Sequence, residues 1–463
     1  MGKPWATLGF DLHVEPTGPG LRKGLTKALR EAVRSGRLAP GIRLPSSRSL
    51  AADLGIARNT VADAYADLVA EGWLTARQGS GTLVAERTSA GPGTAPTATR
   101  PRTVRSPAHD LQPGRPDVAS FPRAEWLRAA RRALTAAPNR ALGYGDPRGL
   151  AELRTALAEY LSRARGVRAD PDRILVCAGF GQGLQILGAV LRARGVRTVA
   201  VESYGLDVHW ELLAAAGLHS RPLPFDGLGT SVEGLADAGA VLLTPAHQFP
   251  MGVPLHPERR AAVVDWARRT GGLILEDDYD GEFRYDRRPV GALQGLDPDH
   301  VVYLGTTSKS LAPGLRLGWM VLPPALAEEA CAAKGPTDTC GVLDQLTLAE
   351  FIVSGAYDRH VRAARLRYRR RRDALVRAVA AHAPDVRVTG IAAGLHAVLR
   401  LPPGTEQSVV HAAAWQGLAV QGLHRFRHEG ASAEPPDALV VGYGTPPDHG
   451  WAEALNALCR VLP

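Results

Sequence analysis

Cysteine is scarce in this chain of 463 residues, and the four that occur (Cys177, Cys331, Cys340 and Cys459) form no CxxC pair. Their scatter predicts neither a disulfide framework nor a zinc site. The sequence also lacks an apolar run of eighteen residues, and its first residues lack the apolar core of a signal peptide. We therefore expect a cytoplasmic protein with no membrane partner.

Acidic residues are absent from positions 89–108, where three arginines give a charge of +3. Residues 1–88 hold twelve Lys and Arg against eight Asp and Glu, so the two segments carry most of the net charge of +9. A basic N-terminal region joined to a nearly neutral remainder of the chain predicts that the N-terminal region binds a polyanion. The length itself predicts two or three domains.

The N-terminal region is predicted to be a small helical domain. Apolar spacing, capping residues and turn glycines predict helices over residues 20–35, 48–54 and 58–71, followed by a β-hairpin over 72–84. Two short helices joined by a tight turn form a helix-turn-helix, whose second helix enters the major groove of double-stranded DNA. A module that docks only to protein is the alternative.

Specific motifs in this region resemble the GntR-type winged helix. They are Gly-x-Leu-x-Pro-Gly-x-Arg-Leu-Pro-Ser-Ser-Arg-x-Leu-Ala at 36–51, Arg-Asn-Thr-Val at 58–61, Gly-Trp-Leu at 72–74 and Gly-Ser-Gly-Thr at 79–82. The resemblance implies that DNA phosphates and base edges are contacted by Arg48, Arg58, Asn59, Thr60, Gln78, Gly79 and Ser80. Ala62 stands where some relatives have a further arginine, so one expected contact is absent.

A linker is predicted over residues 86–108, which are rich in Pro, Thr, Ala, Gly and Ser and show no periodicity. It separates a DNA-binding domain over 1–85 from a larger domain over 109–463. Helical and strand patterns alternate in the larger domain, which predicts an α/β fold with a small subdomain over about 360–463.

Two strand ends in the larger domain carry groups suited to chemistry. One apolar run leads into Thr-Thr-Ser-Lys-Ser at 306–310, which places Lys309 among hydroxyls, and Arg316 follows seven positions later. Another run ends in Glu-Asp-Asp at 276–278, and such an acid cluster is costly to bury unless it meets a cation or a polar ligand. Pyridoxal 5′-phosphate (PLP) would use a lysine, a carboxylate, hydroxyls and an arginine.

These two stretches resemble the cofactor core of fold-type I aminotransferases. The resemblance implies that Lys309 forms the Schiff base with PLP and that Asp277 partners the pyridinium nitrogen. It further implies cofactor contacts from Tyr144 (to the partner subunit's phosphate), from Gly179, Phe180, Gly181 and Gln182 in a glycine loop, from Tyr204 against the ring, from His247 and Tyr279 near the 3′-oxygen, and from Thr306, Ser308 and Arg316. For Tyr204, a core position is the alternative.

The order of these parts resembles the MocR-type transcriptional regulators of the GntR superfamily. It implies a homodimeric regulator that binds operator DNA and senses PLP or a PLP–amine adduct, with vitamin B6, amino-acid or amine metabolism genes as candidate targets. Residues 438–444 contain no arginine for a substrate carboxylate, and Arg425 or Arg427 are the candidates in the preceding loop. An active aminotransferase with a regulatory DNA-binding arm, and a domain that has lost its cofactor, remain alternatives. The arginines between 359 and 377 predict either a solvated helix or a second DNA contact.

Overall fold

The computed structural model divides the chain into two compact units, residues 1–105 and 106–463. The structure describes residues 20–77, 81–85, 107–285, 290–337 and 339–463. Gln78, Gly79 and Ser80, predicted at the wing tip, lie outside the described residues. So does the predicted linker, apart from Pro107 and Ala108.

The described residues of the first unit form three helices and a two-stranded hairpin, as the sequence predicts. Its elements are α1 (Leu21–Arg34), α2 (Ser47–Leu54), α3 (Arg58–Ala70), β1 (Leu74–Arg77) and β2 (Gly81–Val84). Ser46 caps α2 by accepting the Ser49 N–H at 3.1 Å. The apolar faces of the helices bury Leu25 and Leu29 of α1 against Val61 and Leu68 of α3, which fixes the orientation of α3 within the unit.

The second unit alternates helices and strands. Its helices are α4 (Arg123–Ala136), α5 (Ala151–Arg165), α6 (Phe180–Ala193), α7 (Asp207–Ala215), α8 (Pro257–Thr270), α9 (Ala327–Lys334), α10 (Val342–Val353), α11 (Ala356–His382), α12 (Glu406–Trp415) and α13 (Trp451–Cys459). Its strands are β3 (His109–Asp110), β4 (Ile174–Cys177), β5 (Thr198–Glu202), β6 (His219–Leu223), β7 (Phe225–Asp226), β8 (Gly229–Thr230), β9 (Ala240–Leu243), β10 (Leu273–Asp277), β11 (Val301–Thr306), β12 (Gly318–Val321), β13 (Arg387–Thr389), β14 (His396–Arg400), β15 (Leu418–Ala419), β16 (Gln421–Gly422) and β17 (Ala438–Gly442).

A seven-stranded sheet forms the centre of this unit, in the order β4-β12-β11-β10-β9-β5-β6. Only β12 runs against the other strands. Every residue of β9, β10 and β11 is buried, because helices pack on both faces of the sheet. Along β4, Ile174 and Val176 belong to one apolar cluster and Leu175 to the cluster on the opposite face. The carboxyl ends of the parallel strands therefore meet at one edge, where α/β sheets bind ligands.

A second sheet, β13-β14-β17-β16, is antiparallel and forms the small subdomain with α11, α12 and α13. The arginine-rich stretch lies in α11, as predicted. Its exposed arginines are Arg359, Arg362, Arg369, Arg370 and Arg377. Arg371 is buried instead and bonds carbonyl oxygens and carboxylates. The structure thus divides the arginines between a solvated face and an internal role.

An entry segment, residues 109–117, connects the small subdomain to the edge of the central sheet. Its strand β3 pairs with β15, and Leu111 O accepts the Gly442 N–H at 2.7 Å. At its other end, buried Asp117 forms an ion pair with Arg371 at 3.2 Å. The segment is therefore fixed at both ends. No helix in the described part of the chain is long and apolar enough to cross a membrane.

We predict that Arg371→Gln destabilises the second unit by about 3–5 kcal/mol, because it leaves the buried carboxylate of Asp117 without its cation. Its exposed neighbour provides a matched control, since Arg370→Gln is expected to change stability by no more than about 0.5 kcal/mol. Urea denaturation followed by tryptophan fluorescence measures both. Equal midpoints for the two variants would contradict the role given to Arg371.

Candidate cofactor site and DNA-binding surface

A cavity of about 330 Å³ opens at the carboxyl ends of β5, β9, β10 and β11. Seven of the residues predicted to bind PLP line it: Phe180, Tyr204, Asp277, Tyr279, Thr306, Ser308 and Lys309. They come from segments separated by up to 129 positions in the sequence. The fold thus brings into one cavity residues that the sequence placed in separate motifs.

Asp277 is the carboxylate of the acid cluster that faces the cavity. Glu276 accepts the Leu293 and Gln294 N–H groups at 2.6 and 2.9 Å, and Asp278 pairs with Arg165 at 2.6 Å. Asp277 Oδ1 is buried and has no hydrogen-bond partner among the described residues. A buried oxygen of this kind requires a donor, and a ring N–H is one.

The charges of Asp277 and Lys309 are both disfavoured by burial. Burial raises the pKa of Asp277 well above its ordinary value, although the cation of Lys309 acts in the opposite direction. Burial likewise lowers the pKa of Lys309, opposed by the negative charges of Asp277 and Asp280. The Lys309 Nζ donates to Gly114 O at 2.6 Å. A lowered pKa increases the fraction of neutral amine, which is the nucleophilic form.

The hydroxyl-rich turn after β11 is held by its own side chains. Thr306 Oγ1 lies 2.9 Å from Ser308 Oγ and accepts the Ser308 N–H at 3.1 Å. Thr307 donates to Leu317 O at 3.1 Å, which ties the turn to the loop leading into β12. The turn therefore presents Ser308 and Lys309 to the cavity on a rigid base.

The predicted anion cradle lies at the N-terminus of α6. Gly179 precedes the helix with φ 85°, and a Cβ built on it would lie 3.4 Å from Arg316 Nη1. The Arg316 guanidinium is thus packed against the first helical turn, which contains Gly181 and Gln182. Gln182 Oε1 accepts the Ala178 N–H at 2.6 Å and braces the loop. Helix N–H groups and a guanidinium at one point favour a phosphate.

His247 lies behind Tyr279 and does not line the cavity. Its Nδ1 is 2.8 Å from Asp280 Oδ2 and 3.1 Å from the Tyr279 hydroxyl, which also lies 3.1 Å from His247 O. Burial raises the pKa of Tyr279 well above its ordinary value, so the phenol stays protonated. His247 therefore holds Tyr279 in place and makes no contact with the cavity itself.

The two remaining predicted tyrosines have different surroundings. The Tyr204 ring meets Phe225 edge-on at 6.0 Å and belongs to an apolar cluster with Phe249 and Phe426. These contacts favour the alternative of a core position, although Tyr204 also borders the cavity. Tyr144 is 100% exposed and does not line the cavity of its own chain.

Sequence reasoning missed most of the other residues of the cavity wall, and two of the missed parts contact predicted residues. One is Gly114 with Arg115, from the entry segment; Gly114 lies 195 positions from Lys309 and no motif connects them. The other is His209 in α7, whose ring lies 4.5 Å from that of Phe180. Burial, aided by the charge of Lys309, lowers the pKa of His209 to about 4. A single histidine in a helix carries no signal of such a position.

The described residues among the predicted DNA contacts belong to α2 and to the start of α3. Arg58, Asn59 and Thr60 form the first turn of α3; the first two are exposed and Thr60 is partly exposed, and Arg48 in α2 is also exposed. Among the described residues, neither Arg48 nor Arg58 forms an ion pair. By contrast, Arg22 and Arg30 of α1 pair with acids of the same unit. Exposed cations without acid partners suit phosphate and base contacts.

The residues in and beside the cavity fit PLP. Asp277 supplies a carboxylate with an unsatisfied oxygen and Lys309 supplies a partly buried amine. Ser308 in the cavity wall, with Arg316 and the start of α6 beside it, supplies donors for a phosphate. The carboxylate, the amine and the anion donors match the ring nitrogen, the aldehyde and the phosphate of PLP, respectively.

Two family models match the chain. "Bacterial regulatory proteins, gntR family" covers residues 21–84, and "Aminotransferase class I and II" covers residues 110–435. Among solved structures, an archaeal alanine:glyoxylate aminotransferase is similar with a TM-score of 0.69 and 25% identity, over 76% of this chain and 90% of that chain. The Pyrococcus horikoshii kynurenine aminotransferase gives a TM-score of 0.67 at 25% identity, with the same coverage. The predicted fold-type I domain is therefore confirmed.

Some relatives match nearly the whole chain, across both the GntR region and the aminotransferase region. The pyridoxine biosynthesis transcriptional regulator PdxR of Corynebacterium glutamicum is 34% identical over 93% of each chain. The probable rhizopine catabolism regulatory protein MocR of Rhizobium meliloti is 33% identical over 95% of this chain and 93% of its own. The chain belongs to the MocR/PdxR-type helix-turn-helix transcriptional regulators, in which a GntR-type DNA-binding domain precedes an aminotransferase class I/II domain.

Proposed function

We propose that this transcriptional regulator binds PLP through Lys309 and that PLP, or its adduct with an amine, changes the affinity for operator DNA. The observation that carries the proposal is the unsatisfied Oδ1 of buried Asp277 in the same cavity as the amine of partly buried Lys309. PLP would supply a ring nitrogen for the carboxylate and an aldehyde for the amine. A protonated ring nitrogen beside Asp277 would lower the pKa of that carboxyl and remove the cost of its burial.

The other residues would orient and enclose the cofactor. Arg316, Ser308 and the first turn of α6 would donate to the phosphate, and Tyr279 offers a protonated hydroxyl that His247 holds in place. Gly114 O accepts the Lys309 ammonium, so the amine is already oriented toward the entry segment.

A homodimer is part of this proposal. Tyr144 is fully exposed and does not line the cavity of its own chain, which supports a contact with the cofactor site of a second copy. Leu127 and Leu134, two turns apart on α4, are also exposed, as is Leu142. Apolar side chains on one face indicate a protein contact. Two winged helices on one dimer would engage two operator half-sites.

A working aminotransferase is the second candidate, favoured by the intact Lys309 and Asp277. The small subdomain argues against it. Val440 of β17 is buried and no arginine lies at 438–444. Arg425 pairs with Asp207 at 2.6 Å, Arg427 donates to Ala433 O, and neither lines the cavity. We therefore propose regulation, in the cytoplasm where operator DNA lies.

The relatives' names suggest targets. PdxR is named for pyridoxine biosynthesis and MocR for rhizopine catabolism. We propose that this chain controls genes of vitamin B6 or of amino-acid and amine metabolism.

We predict that Lys309→Ala abolishes the visible absorbance of bound PLP near ~420 nm while the fold survives, because the variant lacks the amine that reacts with the aldehyde. Absorbance before and after borohydride reduction measures the linkage, and circular dichroism measures the fold. A borohydride-reducible band in this variant would assign the linkage to another lysine.

We predict that Asp277→Asn weakens PLP binding by about tenfold or more, since the ring nitrogen loses a charged partner. Glu276→Gln is the matched control: its carboxylate bonds backbone N–H groups and should leave PLP affinity unchanged. Equilibrium dialysis with PLP measures both affinities. Equal losses in the two variants would show a general effect on the acid cluster.

We predict that Arg58→Ala costs roughly 1–3 kcal/mol of operator binding and relaxes specificity at one base pair, if its guanidinium reaches a base edge. Arg30→Ala is the control, because Arg30 pairs with Glu71 within the unit. Fluorescence anisotropy on operator variants measures both. Uniform weakening on every sequence, with a shallower salt dependence, would instead make Arg58 a phosphate contact.

A further inference from the structure

Three buried side chains that offer ligand atoms for a metal ion form a cluster that does not line the cofactor cavity. They are His247 in the loop after β9, Asp280 in the loop after β10, and His396 at the start of β14 in the small subdomain. Each is only 3% exposed. One ligand atom of each lies within 4.8 Å of those of the other two. The fold thus joins groups from both sheets at one point.

His396 has a lone pair that the protein leaves unused. Its Nε2 lies 3.0 Å from Pro250 O. Because a carbonyl oxygen only accepts, Nε2 carries the proton and Nδ1 carries the lone pair of the neutral ring. Nδ1 is buried and has no hydrogen-bond partner among the described residues. A metal-binding imidazole typically donates its other ring N–H to a carbonyl or a carboxylate, which is the arrangement of His396.

Asp280 adds a buried negative charge to the cluster. Its Oδ2 lies 2.8 Å from His247 Nδ1, and among the described residues it forms no ion pair with a lysine or an arginine. By contrast, Asp278 pairs with Arg165. A buried carboxylate is costly unless a cation or a metal ion meets it. A metal ion would supply that positive charge.

The cluster is compact enough to close on one ion. The ring centroids of His247 and His396 are 5.2 Å apart. Gly394 has φ 72°, and a Cβ built on it would lie 2.6 Å from Asp280 Oδ2, so the chain passes directly over the cluster. Ligands that bind Zn²⁺ tetrahedrally at about 2.1 Å stand roughly 3.4 Å apart. Small movements of the three side chains would reach this spacing.

We propose that His247, Asp280 and His396 bind a divalent transition-metal ion, for which Zn²⁺ is the best match. Two imidazoles and a carboxylate are zinc ligands, whereas Mg²⁺ and Ca²⁺ prefer sites made of oxygen atoms. The ion would tie β14 of the small subdomain to the loops at the edge of the central sheet. It would do so apart from PLP, since none of the three ligands lines the cofactor cavity.

The test uses the full-length, untagged, PLP-loaded protein, with Zn²⁺ as the probe. Equilibrium dialysis against buffered Zn²⁺, followed by mass spectrometry of the metal content, is expected to give one bound ion per chain. Zn²⁺ should also raise the midpoint of thermal unfolding, because it binds the folded state. An equal concentration of Mg²⁺ should not.

Two variants each remove one ligand. His396→Gln keeps an N–H for Pro250 O but loses the Nδ1 lone pair, and Asp280→Asn loses the charge. Each should weaken Zn²⁺ binding by about tenfold or more. His428→Gln is the matched control, because His428 is also buried but lies 3.0 Å from the Ser220 hydroxyl, and it should bind Zn²⁺ as the wild type does.

Three results would overturn the inference. A wild type that retains no Zn²⁺ would leave a buried water molecule as the partner of His396 Nδ1. Wild-type Zn²⁺ affinity in a folded His396→Gln or Asp280→Asn variant would place the ion elsewhere. Loss of the ion when PLP is removed from the wild type would assign it to the cofactor. Circular dichroism identifies a variant that fails to fold, and the other variant then decides.

Discussion

The placement of two ionisable groups of opposite charge, buried Asp277 and partly buried Lys309, in one cavity is the constraint on which the candidate site depends. Desolvation at the sheet edge raises the pKa of Asp277 and lowers the pKa of Lys309, so it favours the neutral form of each group. Such a pair stabilises a fold poorly, since desolvation costs offset the attraction. The presence of such a pair is therefore explained better by ligand binding than by stability. The neighbouring acids, Glu276 and Asp278, have protein partners, which leaves Asp277 available for a ligand.

The rest of the unit positions these two groups. The parallel strands β10 and β11 deliver Asp277 and the turn containing Lys309 to the same edge. The entry segment brings the small subdomain to the amine through Gly114, and the buried Arg371–Asp117 pair fixes its far end. Hydrogen bonds therefore connect Lys309, through the entry segment, with the small subdomain. A ligand that alters these contacts would favour one of two arrangements of the protein.

Much of this could be predicted from the sequence, and the limits have physical reasons. The winged helix followed from local signals, such as the Ser46 cap and the apolar spacing of α3. Lys309 and Asp277 followed from short motifs at strand ends. The place of Gly114, Arg115 and His209 in the cavity wall could not be predicted, because it arises from contacts between segments that are distant in sequence. His247 was assigned to the cofactor, whereas its hydrogen bonds place it behind Tyr279.

The central claim, that the state of the cavity controls DNA binding, is tested most directly by footprinting the full-length protein on its own upstream DNA with and without PLP. We expect protection of two half-sites and a PLP-dependent change in the protein concentration for half protection, on the order of tenfold. Identical protection at identical concentrations in both conditions would contradict it.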